Sequence, residues 1–420
     1  MRSLRKVGRL VVFGRILAVG LLAGATALAA DFEAPVVLSA SRLLPPDVIQ
    51  GPNHRVEETV TNDGFLNVYT ITSPMGTVQA TSTAMLRKYV VEVEAAARMS
   101  TVRGSEAFAE GVKEKAGQVV EGAKGLVTDP GGTLSGAVSG VGKLFNRAGE
   151  NMFGGSRSDS EESRMADLLG YSKAKRDYAH QFGVDAYSRN PVLQKQLDDI
   201  SRAGFMGNLT ASAALMAVPG GAGAAVTVTG STQLMNDVFR DLAPADLRIK
   251  NRDSLQAMGV PTDVADLFIA NAVFTPREQT LLVDALAGMT GTQNRAGFIK
   301  FAVLTDDPDL AFFRQRQAQL YAAYNRSVEP VSSFVHVGQM SAAQTASGKL
   351  VFTIPLDYLL WTKGLAAVAS SITNEVSLQG IKERHLWVTG TLSPLAKQSA
   401  GKMGWTVHEN AESLLKGAPL

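Results

Sequence analysis

The chain of 420 residues contains no cysteine. That absence excludes structural disulfides, thiol nucleophiles, cysteine-ligated zinc, iron–sulfur clusters and a lipid anchor on an N-terminal cysteine. Histidine is nearly as scarce: the five are His54, His180, His336, His385 and His408, with no pair at metal-ligand spacing and no H-E-x-x-H. A Gly-x-Ser-x-Gly elbow is missing, so a catalytic serine has no support. Gly390-Thr-Leu-Ser393 lacks the lysine and the glycine spacing of a P-loop. The most apolar stretch near the start, Ile16 to Leu28, is about 13 residues, against the ~20 a spanning helix needs. An excess of one charge is lacking too, with 41 basic and 39 acidic residues giving +2.

What is present begins with the first thirty residues. Arg2, Arg5, Lys6, Arg9 and Arg15 precede the apolar stretch, no acid interrupts it, and Ala27-Leu-Ala-Ala30 closes it. A basic head, a short apolar middle and small residues at −3 and −1 are the marks of a cleaved export signal. The sequence therefore predicts a periplasmic protein, cleaved near Ala29 or Ala30. Removing the five leader cations leaves 36 basic against 39 acidic residues, a net charge of −3. Such a chain has no field to attract nucleic acid, and none is expected as a partner. A hydrophobic content of 45% is ample for packed cores. About 390 mature residues suggest two to four domains at ~100–200 residues each.

The patterning predicts an α+β chain, multidomain and mostly helical. Residues 31–100 read as an N-terminal β meander with a helix. Arg55–Thr61 alternates, Asn62-Asp-Gly64 is a hairpin turn, Phe65–Ser73 and Thr77–Thr81 follow as strands, and Ser82 or Thr83 opens a helix to about Met99. Residues 101–160 read as a glycine-rich amphipathic arm and linker, ending in the hydrophilic Arg157–Arg164. Residues 161–330 read as an all-helical domain. A helix opens at Ser172, Asn190-Pro191 starts another, Thr262 caps a third, Thr275-Pro-Arg-Glu278 is a capping box, and Asp307-Pro-Asp309 introduces a helix to about Arg326. Within it, Ala203–Asn236 carries no charge over 34 positions. Its small-residue spacing suits close helix packing, in a core or in a membrane. Residues 331–420 read as a small α/β domain. Phe334–Val337, Leu350–Ile354, His385–Val388 and Trp405–His408 are strands, with helices from Gly364 and Pro394 favouring parallel pairing.

In open α/β sheets ligands bind beyond the carboxyl ends of strands. Asp357 lies past one such end, and Thr389, Gly390, Thr391 and Ser393 lie past another, at the start of a helix. A carboxylate beside a hydroxyl-rich loop suits a sugar, a phosphate or a metal, and these five are the candidate ligand-binding residues. The bland alternative is that Ser393 caps a helix, Gly390 permits a turn and Asp357 caps a segment. No catalytic residue, resident metal or cofactor is indicated. Asp198-Asp199 and Asp306-Asp307 are best explained as solvated or helix-end charge.

The stretch Gly122–Pro130 followed by Gly136–Lys143 is similar to membrane-binding repeats near the ends of chorein-type lipid-transfer proteins. An arm wrapped on the protein's own helices is the alternative. Asn62-Asp-Gly-Phe65, Ser172-Lys-Ala-Lys-Arg176, Gly183–Val192, Leu386–Pro394 and Gly404-Trp-Thr-Val-His408 resemble a family of exported proteobacterial proteins without an assigned activity. The resemblance implies an envelope location and a shared architecture, and carries over no catalytic residue. Together these features predict a non-enzymatic binding or scaffold protein of the envelope, with lipid or an envelope protein as partner. The alternative is a periplasmic hydrolase or small-ligand-binding protein using the C-terminal domain.

Overall fold

The computed structural model describes residues 32–120, 159–207, 210–211, 230–338, 340–416 and 418–419. The leader, the glycine-rich segment after Val120 and most of the charge-free stretch lie outside the described residues. The expectations for the membrane-binding repeats and the small-residue hairpin fall there. Among the described residues, no helix is long and apolar enough to cross a membrane.

The chain has the α+β, mostly helical class its patterning predicts. Turn chemistry sets the first sheet. Gly64 (φ +107°) and Gly76 (φ +132°) occupy left-handed positions closed to most side chains. They reverse the chain between β3 (Thr59–Asn62), β4 (Asn67–Ser73) and β5 (Gly76–Thr81). β1 (Val37–Ser39) adds to β3, β2 (Arg55–Val56) to β4, and all pairings are antiparallel. Alternation buries Val60, Tyr69, Ile71, Val78 and Ala80. The helix Thr83–Arg103 follows directly.

The second sheet is mixed and runs from edge to edge as Trp405–His408, Arg384–Val388, Leu350–Ile354, Met340–Thr345 and Val331–Val337. β6 (Val331–Val337), β7 (Met340–Thr345) and β8 (Leu350–Ile354) form an antiparallel meander. β10 (Arg384–Val388) and β12 (Trp405–His408) continue parallel to β8, each reached through a helix, Lys363–Leu378 and Pro394–Lys402. β7 has no counterpart in the sequence reading, because Ser341-Ala-Ala-Gln-Thr345 lacks the large β-formers of its neighbours. A short parallel pair, β9 (Tyr358–Leu359) and β11 (Thr391–Leu392), lies just beyond the sheet.

One face of the mixed sheet takes the helix Pro308–Ser327. Tyr321, Phe298 and Phe334 meet at 5.2–6.1 Å between ring centroids, and the Tyr321 hydroxyl donates to Ser341 O at 3.0 Å. This helix is buried on nearly every side. It encloses Arg314, Gln315, Arg316, Gln317 and Gln319, and Gln317 Nε2 donates to Thr353 O at 2.9 Å. The capping box arises as its sequence requires: Thr275 Oγ1 accepts from Glu278 N, and Glu278 Oε2 accepts from Thr275 N.

Contacts group the chain into two compact units. One takes residues up to Glu94, Thr229–Met235 and Pro244–Leu420; the other takes Ala95–Val228 and Asn236–Ala243. The strand-rich segments at both ends of the chain thus share one unit. The second unit is helical, with a core of Met99, Phe108, Tyr178, Phe182, Leu193, Leu197 and Ile200. There Asn190 caps the helix Pro191–Met206, accepting from Val192 N and Leu193 N. Ser172 lies inside the helix Asp159–Gln181 rather than opening it.

Candidate functional site

Asp357 stands three residues beyond the end of β8, and its carboxylate reaches back to the first sheet. It accepts from Asn67 N at 2.9 Å, and from Thr83 N at 3.0 and 3.1 Å to its two oxygens. Thr83 is the first residue of the helix Thr83–Arg103, so a carboxylate 274 positions away satisfies one of that helix's four orphan amides. Ser82, in left-handed backbone (φ +91°), accepts from Met85 N through its hydroxyl at 3.1 Å. Burial pushes the Asp357 carboxyl up to about 6. The Asn67 and Thr83 hydrogen bonds pull it down, and the Glu412 charge adds to the rise. Tyr69 completes the group. Its hydroxyl accepts from Asn67 Nδ2 at 3.0 Å and pairs with Thr83 Oγ1 at 2.8 Å. Burial and the Asp357 charge push it up to about 12.

The loop after β10 locks onto the Asp357 backbone. Thr389 Oγ1 donates to Leu356 O at 2.7 Å, and Thr391 N to Asp357 O at 3.0 Å. Gly390 is required by proximity, since a Cβ there would lie 1.9 Å from Asp357 O. Ser393 caps the helix Pro394–Lys402 by accepting from Ala396 N at 3.0 Å, and its hydroxyl donates to Glu33 Oε2 at 2.5 Å. Glu33 also accepts from Trp361 N at 2.6 Å.

Four of the five candidate residues, Asp357, Thr389, Gly390 and Thr391, line a single cavity of about 270 Å³ within the first unit. Ser393 does not line it; it is fully buried in its cap and its bond to Glu33. The sequence reading missed other residues that line the cavity, Tyr69, Thr83, Arg87, Phe312, Arg316 and Glu412 among them. Arg87 had a readable signal, lying four residues after a legible helix start and therefore on the face of Thr83. Arg316 had none. Arg314-Gln-Arg-Gln-Ala-Gln319 carries no apolar stripe, and only the fold buries it. Arg316 donates to Glu412 Oε1 at 3.0 Å and to Gln319 Oε1 at 2.9 Å.

Two of the three strand histidines meet elsewhere in this unit. His385 Nδ1 lies 2.9 Å from His408 Nε2, and Trp387 stacks on the His408 ring at 4.0 Å. Burial, then the charge of His385, push His408 down. His336 is on β6, at the opposite edge of the sheet. His54 Nδ1 is 2.7 Å from Glu94, and in the second unit His180 pairs with Asp237 at 3.0 Å. No group of three potential metal ligands occurs among the described residues. The paired acids serve structure. Asp307 caps its helix, while Asp198 and Asp199 bridge to Lys175 and Arg103. Comparison with family models, curated proteins and solved structures finds no match to this chain.

Proposed function

We propose that the chain is an exported, non-enzymatic binding protein of the bacterial envelope, and that its strand-rich unit takes a small polar ligand in the cavity beside Asp357. The observation that carries this reading is the cavity itself. It joins residues from both ends of the chain and presents carboxylate, guanidinium, hydroxyl and aromatic groups around one 270 Å³ space. Concave sites with a few convergent polar groups are where small ligands bind. The export reading rests on the leader and on the resemblance to exported proteins.

The site chemistry favours binding over turnover. The Asp357 carboxylate is held by two backbone amides, and the Ser393 hydroxyl is held between a cap and Glu33. Neither is paired as a nucleophile with a base. Thermal denaturation against monosaccharides, amino acids and inorganic phosphate tests the reading, using wild type and Thr391→Trp. A ligand that raises the wild-type Tm and leaves the variant unmoved supports it. If no probe shifts the wild type, or the variant responds equally, the reading is wrong.

One observation favours a second reading. A buried carboxyl brought to about 6 lies in the range of a general acid or base. A hydrolase using Asp357 would lose its activity in Asp357→Asn while that variant stayed folded.

A further inference from the structure

Five charged side chains line the cavity: Arg87, Asp309, Arg316, Asp357 and Glu412. Most are accounted for by the protein. Asp357 is held by the Asn67 and Thr83 amides, and Arg316 is bound to Glu412 and Gln319. Asp309 also has an interaction of its own. Arg87 is different. It is solvent-exposed at the cavity wall and makes no hydrogen bond or ion pair with any described residue. Arg87 lies one turn into the helix Thr83–Arg103, whose first amide the Asp357 carboxylate holds, and both residues line the cavity. Ala84, next after the amide that Asp357 occupies, also lines the cavity, and its N–H precedes the first intrahelical bond. Thr81 and Thr391 line the same cavity.

Resting on the reading of this cavity as a ligand site, we propose that its ligand presents an oxyanion, a carboxylate or a phosphate, to the Arg87 guanidinium. A free planar fork of N–H donors matches such a group in two parallel hydrogen bonds and matches no neutral hydroxyl as well. The carboxylates of the wall are already held, so the cation without a partner decides the charge of the guest. Asp357 tunes the affinity. At pH 7 its negative charge opposes an incoming anion, and below about pH 6 it is neutral. Anion binding therefore tightens as the pH falls through that value.

Isothermal titration of the full mature chain with inorganic phosphate, sodium acetate and glucose tests this, at pH 5.5 and 7.5 and constant ionic strength in chloride. Wild type is expected to bind phosphate or acetate, and acetate, which stays an anion at both pH values, more tightly at pH 5.5. Arg87→Gln weakens that binding at least about tenfold, as expected for loss of a hydrogen-bonded charge, and Arg87→Lys falls between because it lacks the fork. Phosphate without acetate identifies a phosphorylated ligand, and acetate without phosphate a carboxylate. Arg87 is exposed, so both variants fold as wild type does, and a Tm matching wild type confirms it. Equal anion affinity in wild type and Arg87→Gln overturns the proposal, as does the absence of binding by either anion. Glucose binding that Thr391→Trp abolishes and Arg87→Gln leaves intact overturns the oxyanion alone and leaves the cavity reading standing.

Discussion

At the scale of single residues, Asp357 concentrates the physics of this chain. Its carboxyl lies above the unfolded value, near 6 against 3.8. The native state therefore holds its proton over a pH range in which the unfolded chain has released it. This contribution to stability is fully present below about pH 4 and is lost as the pH rises through about 6, by up to roughly 3 kcal/mol. Asp357→Asn keeps one acceptor for two amides and places an N–H donor against the other. It is expected to cost about 1–3 kcal/mol at pH 5 and to abolish the pH dependence between 4 and 6, measured as urea-unfolding free energies of both proteins. Gly390 admits no side chain. A Cβ 1.9 Å from a backbone oxygen has no flexible neighbour to displace, and Gly390→Ala is expected to cost about 3 kcal/mol or more, seen as a lowered urea midpoint at unchanged slope. That Asp357, Thr389, Gly390 and Thr391 come together was legible in the sequence, because they follow the ends of neighbouring strands. Their assignments to individual bonds were not. Asp357 caps a helix 274 positions away, and no local pattern encodes a pairing of that range.

At the scale of elements, several local start signals form as the chain states them, while Ser172 lies inside a helix and Thr262 is the first helical residue after Pro261 rather than a cap. The box Thr275–Glu278, the cap Asn190-Pro191 and the cap Ser393-Pro394 all form as written. Thr275→Ala is expected to cost about 0.5–2 kcal/mol, read as a drop in Tm. Legibility failed where packing rather than pattern decides. β7 is a strand because β6 and β8 flank it, and the polar run Arg314–Gln319 is interior because a sheet and the C-terminal turn cover it. The edge pair β10–β12 carries the stacked His385, His408 and Trp387. His408 is pushed below its unfolded value, so the unfolded chain takes up its proton first, and this pair's contribution to stability is lost as the pH falls below about 6.5. The His385 and His408 ring nitrogens lie 2.9 Å apart. Trp387 fluorescence is expected to change over that range in wild type and to stay flat in His408→Phe, which keeps the stack and removes the charge.

At the scale of the whole molecule, the first and last segments of the chain are joined through one site. Phe65 O accepts from Asp357 N, Asn62 Nδ2 donates to Tyr358 O, and Glu33 reaches both Trp361 and Ser393. Such long-range closures cost chain entropy before their contacts form. They place the cavity where neither end alone can build it. Export is tested on the same scale: in a Gram-negative host the protein is expected in the periplasmic fraction, with an N-terminus at Ala30 or Asp31. A cytosolic protein that retains Met1 contradicts that part of the account.

The proposed ligand site beside Asp357 predicts that blocking this space abolishes binding. The most direct measurement is the ligand-induced shift in Tm of wild type beside Thr391→Trp, which places a bulky side chain at a lining position of the cavity. A shift present in wild type and absent in the variant is the expected result. A shift that survives the substitution, or a wild type indifferent to every probe, contradicts it.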